Sequence, residues 1–283
     1  MQEAKYSINI ISTNERLKIG SAGELSNFYN TAGVPKANLI EYAFQKSYQS
    51  IIARNTYGKI IGAVRSSFDG VYAMVWDLQV GQTTHQNNPK LKGTLLTAMM
   101  NTLKAKNHNL IAAIIPNEDV DLYHINGLPY GNELTVTTID PSRHVLWESP
   151  HLIRQNDQVT QKEISNLFAV TGWQEEANIG EQFARAFNTA LCNFTARDEH
   201  GSLIGMVRIH FDGKVAMRWN LVVHPDYRKL GLGFKLLSHL LDFIIKGDYE
   251  SYALAVNYMV KSYQKLAIIP VQDKQVVTNN SKL

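Results

Sequence analysis

The chain has one cysteine, Cys192, in 283 residues. One thiol closes no intramolecular disulfide, so the fold must hold by packing, and a reducing, cytoplasmic setting fits that usage. Long apolar runs are missing as well. None approaches the roughly 18–20 residues needed to cross a bilayer, and Met1-Gln2-Glu3-Ala4-Lys5-Tyr6 lacks the basic-then-apolar layout of a signal peptide. No membrane partner is expected. Charge excess is small: the formal net charge is +3, and the basic residues are scattered rather than gathered into the stripe that a nucleic-acid binder presents. No nucleic acid is expected as a partner. Paired carboxylates, metal-ligand spacings and a nucleophile elbow are not evident, so no metal is expected. Cys192 sits in an apolar, strand-like run and reads as buried filler rather than as a nucleophile.

What is present is a repeat. Residues 53–80 read ARNTYGKIIGAVRSSFDGVYAMVWDLQV, and residues 196–223 read ARDEHGSLIGMVRIHFDGKVAMRWNLVV. They align without a gap and about half the positions are identical. Upstream, Glu24 through Gly33 echoes Glu163 through Gly172, and Ala37-Asn38 and Glu41 echo Ala177-Asn178 and Glu181. Downstream, Gly93 pairs with Gly233 and Tyr123 with Tyr263. Order is kept across the whole chain, which points to duplication of an entire domain. The Asp140-Pro141-Ser142 turn signal puts the boundary near Trp147, giving domains of 1–146 and 147–283.

Each copy has the same coarse layout. Two amphipathic helical segments come first (22–29 and 38–44; 162–170 and 179–187), then two strand-like runs, a Phe-Asp-Gly hairpin signal and a third strand (71–80; 215–223). A helix follows (91–103; 234–245). In the second copy Leu236, Leu237, Leu240, Leu241 and Ile244 give it an apolar face at helical spacing. A further strand (110–115; 251–256) and a short helix holding Tyr123 or Tyr263 complete the unit. Antiparallel strands feeding a strand–helix–strand unit predict a mixed α/β sheet. The polar segment Gln272 to Leu283 reads as a frayed tail or as an export signal.

The chemistry concentrates in one segment. The strand Leu221-Val222-Val223 runs through His224-Pro225-Asp226-Tyr227 into Arg228-Lys229-Leu230-Gly231-Leu232-Gly233, which opens an amphipathic helix. Glycines let backbone N–H groups approach a phosphate, and a helix start adds unpaired N–H groups and a positive dipole end. Arg228 and Lys229 add charge. Neither a dinucleotide fingerprint nor a Walker loop fits, because position 236 is Leu and no Gly-Lys-Ser/Thr follows. A tight strand-to-helix connection is the bland alternative.

This segment resembles motif A of the GNAT (GCN-related N-acetyltransferase) superfamily, Arg/Gln-x-x-Gly-x-Gly/Ala, with Arg228, Gly231 and Gly233 matching in type and spacing. Asn257 and Ser262-Tyr263-Gln264-Lys265-Leu266-Ala267 resemble the family's late Asn and Tyr-x-x-x-Gly, with Ala267 in place of Gly. The resemblance implies two tandem GNAT-like domains, each a largely antiparallel sheet with flanking helices. It implies acetyl transfer from acetyl-CoA to the amine of a small molecule or a protein, in the C-terminal domain. Leu221, Val222 and Val223 would lie beside the pantetheine arm. The N–H groups of Lys229, Leu230, Gly231, Leu232 and Gly233 would cradle the pyrophosphate, Asn257 would touch the pantetheine or the thioester end, and Tyr263 would sit near the sulfur as catalytic acid. The tandem arrangement is similar to that of VipF-like secreted bacterial effectors and of mycothiol synthases. A host protein, met in a host cytosol, joins the candidate acceptors if the chain is an effector. A non-catalytic acyl-CoA sensor is the alternative to an enzyme.

Two questions stay open in the sequence. The third strand of copy two, Met217-Arg218-Trp219-Asn220, offers no carboxylate base; His210, His224 or a water held by Asn220 are candidates. Copy one has Asn88 and Leu91 where copy two has Arg228 and Gly231, and is expected to be degenerate as a donor site, although Asn117, Tyr123, Gly127 and the strand carboxylate Asp77 are in place.

Overall fold

A computed structural model describes residues 6–12, 23–34, 36–81, 89–108, 110–129, 131 and 133–279. The first half runs β1 (Tyr6–Ser12), α1 (Glu24–Thr31), α2 (Ile40–Lys46), β2 (Gln49–Asn55), β3 (Ile60–Phe68), β4 (Ala73–Val80), α3 (Pro89–Ala105), β5 (Ile111–Pro116), α4 (Val120–Ile125) and β6 (Leu134–Ile139). The second runs β7 (Ile153–Gln155), α5 (Gln161–Thr171), α6 (Gln174–Asn178), α7 (Gly180–Asn188), β8 (Cys192–Arg197), β9 (Leu203–Phe211), β10 (Val215–Val223), α8 (Leu232–Lys246), β11 (Glu250–Val256), α9 (Asn257–Tyr263), β12 (Ile268–Pro270) and β13 (Lys274–Thr278).

Local chemistry explains the element ends. Thr160 caps α5 in a reciprocal box: its hydroxyl accepts from the Glu163 N–H, and Glu163 accepts from the Thr160 N–H. Gly172 closes the same helix in a left-handed turn. Glu163 also pairs with Arg197 at the end of β8, and Glu24 pairs with Arg54 in the first copy. The repeat therefore conserves a tie between helix and hairpin as well as a hydrophobic pattern.

Two mixed sheets result, in strand orders β1-β2-β3-β4-β5-β13 and β12-β6-β11-β10-β9-β8-β7. Among the described residues only β4 with β5 and β10 with β11 run parallel. Sheet membership crosses the boundary at Trp147 twice. β6, from the first half, lies between β12 and β11 in the second sheet. β13, from the second half, pairs with β5 along the first, Val277 opposite Ala113. Val276 and Val277 are buried there, contributing about 1.5–3 kcal/mol each. Residues 274–278 are thus a core strand and not the frayed tail that their polarity suggested.

The halves face each other about an approximate two-fold. Tyr72 of β4's hairpin stacks on Trp219 of β10, ring centroids 4.6 Å apart. Arg65 bonds Asp77 of its own half at 2.6 Å and pairs with Asp212 of the other at 3.0 Å. In mirror fashion Arg208 bonds Asn220 at 2.8 Å and reaches across to Asp69 at 2.7 Å. Burial alone would raise the Asp69 carboxyl, but the Arg208 charge and two backbone N–H bonds outweigh it and hold the group below its ordinary range. Each Phe-Asp-Gly turn also docks on a helix of the other half. Gly213 has φ +99°, and a Cβ there would lie 3.0 Å from the Cα of Ala43 in α2. Gly70, with φ +99°, meets Ala186 of α7 in the same way. The Phe-Asp-Gly repeat therefore makes the joint between halves in addition to turning a hairpin.

Candidate active site

Both parallel pairs separate early. β10 and β11 are paired only from Val215 with Glu250 to Met217 with Tyr252. Beyond that point β10 bulges: Asn220 takes φ +55°, and the register with β9 jumps from Trp219–Arg208 to Val222–Met206. An extra residue in one strand bends it and sharpens its twist, so the strands diverge and leave a wedge. β4 repeats this at Asp77, φ +51°.

In the second sheet the wedge leads to the glycine loop. Leu221 and Val223 lie with Tyr263 and Phe234 in the cluster under α8, whereas Val222 points into the cluster between the halves. Arg228 is exposed and its Nε donates to the Val223 carbonyl at 3.1 Å. Lys229 and Gly231 both take left-handed φ, +65° and +76°. Leu230 is exposed, while the Leu232 side chain is buried in the core. The helix begins at Leu232, and its first intrahelical turn closes with the Lys235 N–H on the Gly231 carbonyl. The N–H groups of Leu232, Gly233 and Phe234 precede that bond and have no backbone acceptor among the described residues. A Cβ on Gly233 would touch only Val223 Cγ2, at 3.5 Å.

Across the wedge stands α9. Asn257 opens it, with its N–H on the Glu133 carbonyl and its Oδ1 accepting from Thr135 at 2.6 Å. Thr135 belongs to β6, so the first half furnishes part of this wall. Tyr263 closes the helix. Burial, then Tyr258, raise the phenol above its ordinary pKa, against a smaller downward pull from Arg218. A phenol so placed keeps its proton through neutral pH.

The candidate bases are spoken for or remote. The Asn220 Oδ1 accepts from Arg208. His224 Nδ1 accepts from the Asp226 N–H at 3.3 Å and caps the turn after β10. His210 lies opposite Met217 in the joint between halves; burial lowers its pKa and outweighs the neighbouring Asp69 and Asp212, so it is neutral.

The same wedge in the first sheet is closed. The Tyr29 hydroxyl donates to the bulge carbonyl of Asp77 at 2.5 Å, a bond that Phe168, its counterpart in the repeat, cannot make. Tyr123 is 2% exposed, walled in by Leu91, Leu95 and Val277. Asp77 is tied to Arg65 and to Lys214 of the other half, at 2.6 and 2.7 Å. Asn88 lies outside the described residues.

Three participants escaped the sequence reading. Trp147 follows the first half and lies on the loop: a Cβ on Gly231 would be 3.0 Å from its indole Nε1. Its segment is pinned along α8 by Ser238, which accepts from the Trp147 N–H, and by Lys235, which donates to the carbonyls of Ser149 and His151. Thr135 arrives by strand exchange. Arg218 is the third: it stands where the first copy has Val75, in a strand whose other polar residue is Asn220. Among the described residues no cluster of metal-ligating side chains occurs and no helix is long and apolar enough to cross a membrane.

Comparison with known proteins agrees with this architecture. An uncharacterized N-acetyltransferase, ycf52, of Pyropia yezoensis is 25% identical over 124 residues, 43% of this chain and 71% of that one. Among solved structures, a tandem GNAT protein from the clavulanic acid biosynthesis pathway superposes with a TM-score of 0.64 at 13% identity, over 97% of this chain and 98% of that one. The N-myristoyltransferase of Saccharomyces cerevisiae, solved with myristoyl-CoA, superposes with a TM-score of 0.60 at 9% identity, over 98% and 79%. At such identities the likeness establishes the fold, which is that of tandem GNAT proteins. Residues 160–267, the stretch that contains the wedge, the loop and Tyr263, match the acetyltransferase (GNAT) family.

Proposed function

We propose that this chain is an acyl-CoA-dependent N-acyltransferase whose donor lies in the wedge of the second sheet, with acetyl-CoA as the simplest donor. One observation carries the reading: the edge of β10 that faces β11, unpaired past Met217, runs at Leu221–Val223 straight into a helix start with three uncommitted N–H groups, with the Tyr263 phenol across the gap. The pyrophosphate fits the helix start, where N–H groups and dipole favour an anion, and Arg228 and Lys229 flank it. The pantetheine amides fit the strand edge as an added strand would. Asn257, steadied by Thr135, borders the thioester end.

Transfer needs three things of the protein. The thioester carbonyl must be polarised, a role suited to a backbone N–H at the bulge of β10. The amine must arrive neutral, and its proton leaves through water. Its nitrogen then bonds to the acyl carbon, the carbon–sulfur bond breaks, the sulfur takes the Tyr263 proton, and the proton shed by the acylated nitrogen returns through water to the Tyr263 phenolate. The first half serves as scaffold: its own wedge is closed by Tyr29 and Tyr123, while its β6 walls the working site.

Calorimetric titration with acetyl-CoA tests the site, and free-thiol release with a panel of amines and peptides tests the reaction. One bound donor per chain, lost in Gly233→Glu, and acceptor-dependent thiol release are expected. Retained micromolar affinity in Gly233→Glu refutes the loop, and binding without acceptor-dependent release refutes transfer in favour of an acyl-CoA sensor.

A further inference from the structure

Arg218 is 5% exposed and has no anionic partner among the described residues. Its Nη2 donates to the carbonyl and hydroxyl of Thr137 on β6, at 2.7 and 3.3 Å. Its Nε is buried without any acceptor. The contrast with the other two buried arginines is sharp, since Arg65 pairs with two carboxylates and Arg208 with one. Isolating a guanidinium from water without an anion costs several kcal/mol. Burial pushes it down to about 9, and Tyr263 is the group that pulls the other way. A methyl-bearing side chain, as in Val75, would fill this strand position without that cost.

Its place in the wedge suggests what offsets the cost. β10 and β11 last pair at Met217 with Tyr252, so Arg218 is the first residue past the apex. Val223, at the mouth, is five residues away, roughly 16 Å of strand. A donor anchored by its phosphates at the mouth and passing its sulfur by Tyr263 points its acyl tail at the apex. We propose that Arg218 receives a carboxylate at the end of that tail, and that the preferred donor is the CoA thioester of a dicarboxylic acid. The inference rests on the donor site described above. Nε and an Nη of one guanidinium suit a carboxylate in bidentate fashion. The remote carboxylate is unchanged by the transfer. The amine nitrogen bonds to the thioester carbon, the carbon–sulfur bond breaks, the thiol keeps the Tyr263 proton, the proton lost by the amine restores the Tyr263 phenol by way of water, and the product is an amide ending in a free carboxylate.

Calorimetry on the full chain with succinyl-CoA and butyryl-CoA, equal in chain length and differing in the terminal charge, decides the matter. Wild type is expected to bind succinyl-CoA at least about tenfold tighter. Arg218→Met should erase that ratio while leaving butyryl-CoA bound, and Arg218→Lys should keep part of it. Equal affinities in wild type overturn the proposal, as does a preference that survives Arg218→Met. Should Arg218→Met not fold, the wild-type ratio and Arg218→Lys suffice. If butyryl-CoA and acetyl-CoA bind and succinyl-CoA has no advantage, only this inference fails; if no thioester binds, the donor site itself fails with it.

Discussion

Gly231→Ala tests whether the loop works through its backbone conformation. The residue sits at φ +76°, where a side chain costs about 1–2 kcal/mol. The added Cβ would also stand 3.0 Å from Trp147 Nε1 and 3.5 Å from the Glu148 carbonyl. The indole cannot simply withdraw, because Ser238 and Lys235 pin its segment along α8. Forcing it off its rotamer adds about 0.5–1.5 kcal/mol. The exposed loop is the softer side of that contact, so it moves and takes its N–H groups with it. The combined cost of about 1.5–3.5 kcal/mol should therefore appear in donor affinity, as a Kd raised about tenfold to several-hundredfold, with the urea midpoint nearly unchanged. Gly233→Ala is the control, since its Cβ meets only Val223 at 3.5 Å; its Kd should stay within about threefold of wild type, roughly 0.6 kcal/mol. Trp147→Phe removes the clashing nitrogen and should recover part of the loss in Gly231→Ala. Titration calorimetry on wild type and these three variants reads all of this. Wild-type affinity in Gly231→Ala, or a larger loss in Gly233→Ala, would refute the reasoning.

Tyr263→Phe should keep donor affinity and lower kcat at least about tenfold, about 1.4 kcal/mol of barrier; unchanged turnover removes the acid role. Asp69→Asn keeps an acceptor for the Val71 and Tyr72 N–H groups but strands the Arg208 charge, and should cost about 3–5 kcal/mol in urea unfolding. Adding Arg208→Met should restore most of it, and strict additivity in that cycle would show that the pair is not coupled. His210 has a folded-state pKa held below its ordinary value near 6.5 by burial, so the unfolded chain takes up the proton first. Its contribution is complete above about pH 6.5 and fades as pH falls further; His210→Gln should flatten stability over that acid range, and an unaltered slope would contradict the assignment. Thr135→Val removes the bond to Asn257 and should weaken the donor about fivefold, near 1 kcal/mol, without changing the Tyr263 phenotype; an effect within twofold would free Asn257 from that support.

The sequence exposed whatever is written locally. The repeat, the helix faces and the strand Val215–Val223 followed from periodicity, and Gly231 and Gly233 marked the loop because glycine spacing before an apolar helix has few other uses. The Phe-Asp-Gly turns were legible as hairpins but not as the joint between halves, since an Arg65–Asp212 pair is written 147 residues apart and only three-dimensional closure reveals it. β6 and β13 were missed for a related reason. Lys274-Gln275-Val276-Val277-Thr278 is short and mostly polar, and its burial depends on a neighbour, β5, from the other copy. Arg218 was visible yet silent: an arginine in a strand says nothing of its partners until its buried, unsatisfied Nε is seen.

The exchange of β6 and β13 has a consequence for how such a protein is made and how it can change. The first sheet borrows its sixth strand from a stretch so distant that Ile111 and Asn279, which hydrogen-bond beside it, are 168 positions apart. During synthesis the first half must wait with the edge of β5 bare, and bare edges are where chains pair wrongly, until nearly all of the second half has emerged. The same knot constrains descent. A copy whose own wedge has closed could drift freely if it were a bead on a string. Here its β6 is a wall of its sibling's wedge, so losing the first half would dismantle the wedge of the second.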